Sequence, residues 1–276
     1  MTGLPLLDFY CQGQVSQGEL QEICSTLEEW YSRVSSALPQ RVEVRLFDTP
    51  AGLAAFLASE KADLGIGTSG DDAFTCTHDA WRGSPRLLVC AQRLFALSPL
   101  ARSGTLRHEA AHTVLHGSQA YYVFHIPPDC LGLSSARGLS LSMLQQVLYY
   151  CAIAVKDLEV TRLLLSQGYR DCQLAFAQIQ FLPSEEDKLA WSLAMHHPQA
   201  RLFFFASQLK TLLLGWPLEA AGLMQLEEAA NSMLNYMETR EQKRLLNLAT
   251  NIAEQSGNDT HENVRLALSQ VLRERL

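Results

Sequence analysis

The chain reads as an α+β protein, with a mixed sheet-and-helix lobe over residues 1–138 and an all-helical lobe over residues 139–276. Three observations predict this. Before residue 138, short alternating apolar segments are separated by Gly- and Pro-bearing turns. After it, nearly every segment carries apolar residues at helical period. Hydrophobic residues make up 47% of the 276 against 18% charged, enough to build a large core and to exclude a disordered chain.

The elements follow in order. Residues 17–37 carry Leu20, Ile23, Leu27, Trp30, Tyr31 and Val34 at helical spacing. Val42 to Leu46 alternates as a strand does, and Thr49 to Ser59 follows as a helix with Pro50 in its first turn. Gly67 to Gly70 with Asp71 and Asp72 reads as a turn. Ala73–His78 and Arg86–Cys90 read as strands on either side of the Trp81–Pro85 turn. A helix over Ser103–His116 is expected to close on Gly117 as its C-cap. Residues 117–138 hold Pro127, Pro128, Gly132 and Gly138 and read as irregular. A long helix then runs from about Leu141 to Gln167 and stops at Gly168. Ser142-x-x-Gln145, Thr239-x-x-Gln242 and Asp259-x-x-Glu262 have the form of capping boxes.

Composition narrows the function. With 29 acidic against 22 basic residues the net charge is −7, which disfavours a nucleic-acid binder that relies on bulk positive charge. The N-terminus has no basic segment followed by an apolar one, so no signal peptide is expected. No apolar run has membrane-spanning length, so no membrane partner is expected. The seven cysteines are scattered and form no CxxC pair. They read as reduced thiols in a cytoplasmic protein.

The chemistry lies in His108-Glu109-Ala110-Ala111-His112. Two histidines four apart on a helix sit one turn apart on one face. Their ring nitrogens can then meet one zinc ion at about 2.0–2.1 Å. Glu109 is placed to reach a water on the metal without being a ligand, and zinc brings the pKa of such a water towards about 7. Leu106, Val114 and Leu115 anchor the helix in a core. The opposing interpretation is a solvated helix that happens to carry two histidines. The helical context and the small Ala110 and Ala111 weaken it.

This motif resembles that of the zincin metallopeptidases, and its setting is similar to gluzincin-like members, including the regulatory ImmA/IrrE-type peptidases. The resemblance implies a zincin-like fold, in which the N-terminal lobe supplies a sheet and the motif helix, and a helix of the second lobe supplies an acidic third ligand. It also implies a peptide or protein substrate, held as an added strand along Arg86–Cys90. Two variants are set aside. A third histidine six residues after the second would fall on Ser118, and the inverted HxxEH motif is absent. His116 lies a turn beyond His112, but ligands at both ends of that row would be about 12 Å apart. It reads instead as a helix-end histidine favoured by the dipole.

For the third ligand the resemblance points to Val155–Arg162, where Asp157 takes the ligand position and Thr161 the supporting one. Glu159 is the alternative. Two positions on a helix project about 200° apart, so only one of the pair can face the motif helix. Asp157 shares a mostly apolar stripe with Tyr150, Ile153, Ala154, Val160 and Leu164, whereas Glu159 lies nearer Lys156 and Arg162. The expected metal set is therefore His108, His112 and Asp157 on Zn2+. Tyr121, Tyr122, His125, Tyr149, Tyr150, His196 and His197 are available to stabilise an oxyanion, each more simply explained as packing or surface.

The expected function is zinc-dependent peptide-bond hydrolysis with Glu109 activating a zinc-bound water. The alternative is a zincin-like regulatory or protein-binding module with little or no hydrolysis. A helical protein with an accidental motif is the third reading and predicts no metal.

Overall fold

The computed structural model describes residues 4–34, 37–63 and 74–274. The chain divides into two compact units. The first holds residues 1–122 and 167–176, and the second holds residues 123–166 and 177–276. The boundary expected near residue 138 falls inside the second unit.

In the first unit β1 (Leu6–Gln12), β2 (Arg41–Phe47), β3 (Cys76–Asp79) and β4 (Arg86–Cys90) form a sheet in the order β1-β2-β4-β3. β1 and β4 run parallel to β2, and β3 runs antiparallel to β4 with His78 opposite Leu87. All five residues of β4 are buried, as an inner strand with covered faces should be. β4 therefore has both edges paired and cannot accept an added strand. This corrects the expectation for Arg86–Cys90, and β3 is the edge strand on that side.

Around the sheet lie α1 (Gln17–Arg33), α2 (Pro50–Asp63), α3 (Ala91–Phe95) and α4 (Pro99–Leu115). α1 starts at a capping box, with Ser16 Oγ accepting from the Glu19 amide and the Glu19 carboxylate accepting from the Ser16 amide. It ends at Arg33 with Val34 extended, short of the expected residue 37. β1 was not legible because it is half-exposed and shows no period-2 pattern. The predicted Gly67–Asp72 turn and the first residue of the predicted 73–78 strand lie outside the described residues.

Arg86 at the start of β4 ties this unit together. Its guanidinium donates Nη1 to Glu60 Oε1 at 2.8 Å and Nη2 to Glu60 Oε2 at 2.5 Å. Its Nε donates to the two Asp79 oxygens at 2.7 and 2.8 Å. One buried cation thus joins α2, β4 and the end of β3.

The second unit is helical. A 3₁₀ turn (Gln119–Tyr122) precedes it. Then come α5 (Pro128–Ala136), α6 (Leu141–Ser166), the end of α7 (Arg170–Gln180), α8 (Glu185–Ala194), α9 (Pro198–Ala220), α10 (Leu226–Met233), α11 (Thr239–Gln255) and α12 (Thr260–Arg273). α6 and α9 pack side by side at its centre, with α12 against α6, α5 against α12 and α11 against α9. The expected irregular stretch 117–138 is thus largely ordered. Pro128 occupies the first helical position of α5 and Asp129 its first turn, where both are favoured.

Of the three expected capping boxes, Asp259 caps α12 by accepting from the Glu262 amide at 3.0 Å. α6 is capped by Ser140, which accepts from the Met143 amide, so Ser142 already lies inside the helix. Thr239 is likewise inside α11, after Glu238. Among the described residues no single helix is long and apolar enough to cross a membrane.

Candidate metal centre

α4 is built to hold side chains still. Ser98 Oγ accepts from the Ala101 amide at 3.3 Å and Pro99 stands in the first turn, so the helix begins four residues before the sequence suggests. Its buried face meets the rest of the unit at fixed points. Tyr31 Oη and Thr113 Oγ1 are 2.7 Å apart, and Arg107 Nη2 donates to Glu29 at 3.1 Å. Gln173 Nε2 donates to the Gly104 carbonyl at 3.1 Å. A Cβ on Gly104 would lie 2.1 Å from the Cys172 carbonyl oxygen, so only glycine admits this approach.

The helix ends on His116 and not on Gly117. Gly117 is needed for space, since a Cβ there would come within 2.0 Å of the Thr113 carbonyl oxygen.

His108 and His112 are 2% and 1% exposed, and their Nε2 atoms are 3.3 Å apart. Two nitrogens at 2.0–2.1 Å from one tetrahedral ion would stand about 3.3–3.4 Å apart. The pair therefore fits a zinc ion as it lies. The His108 ring rests on Phe176 with centroids 4.6 Å apart, which fixes its plane.

His116 is more than a helix-end cation. It is fully buried, and its Nδ1 lies 3.1 Å from Nδ1 of His112. One of the two Nδ1 atoms donates to the other, so the contact couples the tautomers of the two rings while His112 Nε2 faces His108. His116 stands at the helix end, as expected, and Tyr121 packs edge-on against its ring at 5.2 Å.

Glu109 projects from the same helix to β3. Its Oε2 lies 2.7 Å from His78 Nδ1, and both side chains keep 14% exposure. The His78 ring also stacks on His112, with centroids 3.7 Å apart and planes 8° from parallel. His78, Glu109 and His112 thus form one tight group. Burial, and then the charge of Glu109, push the Cys76 thiol well above its ordinary value, so it adjoins the group as a neutral S–H.

His78 was missed in the sequence. Strand alternation puts Cys76 and His78 on one face, but nothing in the sequence says which face meets the motif helix.

Asp157 and Glu159 lie on α6 in the second unit. Asp157 is 4% exposed, and its Oδ2 is 4.0 Å from Lys210 Nζ. Glu159 is engaged on both oxygens, accepting from Thr260 Oγ1 and Asn263 Nδ2 at 2.7 Å each. The Thr161 hydroxyl donates to the Asp157 carbonyl at 2.9 Å, so it supports the backbone and not the carboxylate. Tyr149 is exposed on α6, and His197 caps the start of α9.

No family model, curated protein or solved structure matches the chain.

Proposed function

We propose that the chain is a zinc-dependent peptidase of zincin-like fold, with His108 and His112 as two ligands, Asp157 as the third and Glu109 as general base. The observation that carries the reading is the 3.3 Å separation of the two Nε2 atoms within a rigidly packed helix. Imidazole pairs held at that distance and deprived of water suit a metal ion.

Bound zinc would supply Lewis acidity, polarising a peptide carbonyl and acidifying water. Glu109 takes a proton from the attacking water and delivers it to the departing amine. His116 is coupled to the tautomer of His112, and Phe176 holds the His108 ring. Asp157 is favoured over Glu159 because the Glu159 oxygens are already committed to Thr260 and Asn263. A substrate peptide would add as a strand along β3, the edge strand beside Glu109 among the described residues. The reading calls for neither nucleic acid nor a membrane, and the dispersed thiols suit the cytoplasm.

The test is metal analysis of the purified protein, paired with cleavage of unstructured casein by the parent and by Glu109→Gln. One zinc per chain and Glu109-dependent cleavage are expected. Protein that takes up no zinc at neutral pH overturns the reading.

A further inference from the structure

We propose that His78 is the positioning residue of Glu109, donating its Nδ1–H to Oε2 and so holding the carboxylate in place for proton transfer with water. The proposal deepens the peptidase reading and rests on it.

Three observations within the first unit carry it. The first is the 2.7 Å approach of His78 Nδ1 to Glu109 Oε2. Two donors on one tetrahedral zinc would stand about 3.3–3.4 Å apart. The shorter distance is that of a hydrogen bond between His78 and Glu109. The second is the near-parallel stack of His78 on His112. It fixes the plane of the His78 ring against a side chain that is itself fixed through His116. The third is the support beneath His78. Its neighbour Asp79 accepts on both oxygens from the buried Arg86, which pins the end of β3.

A carboxylate next to a cation site has two options. It can rotate inward and become a ligand, or it can stay outside and act on water. A bond from a rigid strand to one oxygen selects the second. The bond from His78 fixes the carboxylate of Glu109 for proton transfer.

The experiment uses the full chain with three variants. His78→Phe keeps the stack and loses the donor, His78→Asn restores a donor near Nδ1, and Glu109→Gln removes the acceptor charge. In metal-free protein, long-range proton–nitrogen NMR reads the His78 tautomer. Protonation at Nδ1 is expected, with the His78 nitrogen shifts moving in Glu109→Gln. A His78 ring protonated only at Nε2, or one indifferent to Glu109→Gln, overturns the proposal whether or not zinc binds.

With zinc added, affinity is read by competition with a chromophoric chelator and turnover by casein cleavage. His78→Phe is expected to keep the parent's zinc affinity and KM while kcat falls about 100-fold, and His78→Asn to recover most of the loss. Loss of zinc in His78→Phe, or an unchanged kcat, overturns it. If the parent takes up no zinc, the peptidase reading fails, and the NMR result alone decides whether His78 positions Glu109.

Discussion

Nε2 of His108 and Nε2 of His112 stand 3.3 Å apart on one face of a helix, the spacing of two ligands on a single tetrahedral ion. Replacing either residue by Ala should abolish stoichiometric zinc, measured by elemental analysis after gel filtration. Lowering the pH should release the ion from the parent, because protons compete for the ligand nitrogens. Full zinc occupancy in both variants would remove the site from this helix.

Glu109 should separate chemistry from metal binding. Glu109→Gln is expected to retain one zinc per chain and the parent's thermal midpoint while hydrolysis drops by about 100- to 10,000-fold. Casein cleavage measured on zinc-quantified samples checks this. An unchanged rate would mean that another group takes the proton.

The two acidic residues of α6 should diverge. Asp157→Asn is expected to weaken zinc affinity strongly. Glu159→Gln should leave affinity alone and cost about 1–3 kcal/mol of stability, through disturbed bonds to Thr260 and Asn263. Chelator competition and urea unfolding read the two effects separately. The reverse pattern would reassign the third ligand to Glu159.

His116 should tune the metal without touching it. His116→Leu removes the partner of His112 Nδ1 and should lower zinc affinity by about 10- to 100-fold. His116→Asn, which restores an acceptor, should recover much of it. Equal affinities for parent and Leu variant would return His116 to a packing role.

Arg86 is the stability prediction. Arg86→Met takes the paired cation from buried Asp79 and leaves Glu60 with Arg82, and should cost about 3–5 kcal/mol. Urea unfolding followed by far-UV circular dichroism measures it. A loss below 1 kcal/mol would mean that water reaches the cluster.

How much of this was legible in the sequence depends on the kind of signal. The two-histidine helix was plain, because its spacing is local and the apolar residues around it repeat at helical period. The inward setting of Asp157 was also readable as a stripe. β1 was hidden by its half-exposed, non-alternating residues, and α5 by prolines that open a helix as readily as they break a chain. His78 could not be found, because its part depends on pairing between β3 and β4 and on which face of that strand turns to α4. His116 was readable as the end of the helix, where it stands, but spacing is silent about hydrogen bonds passed between successive rings.

Gly104 and the residues around Cys172 set an order on the birth of the protein. The ribosome completes the two-histidine helix by residue 115, but the Gln173 amide, the Cys172 carbonyl and the Phe176 ring that hold it are made some sixty residues later. Until then a nascent chain carries strands and a histidine helix with part of its seat missing. A fragment stopped at residue 122 should therefore show a helix and a sheet with a loose His108, and weaker retention of zinc than the full chain. The motif is written early, and its seat is complete only after α7 has been made.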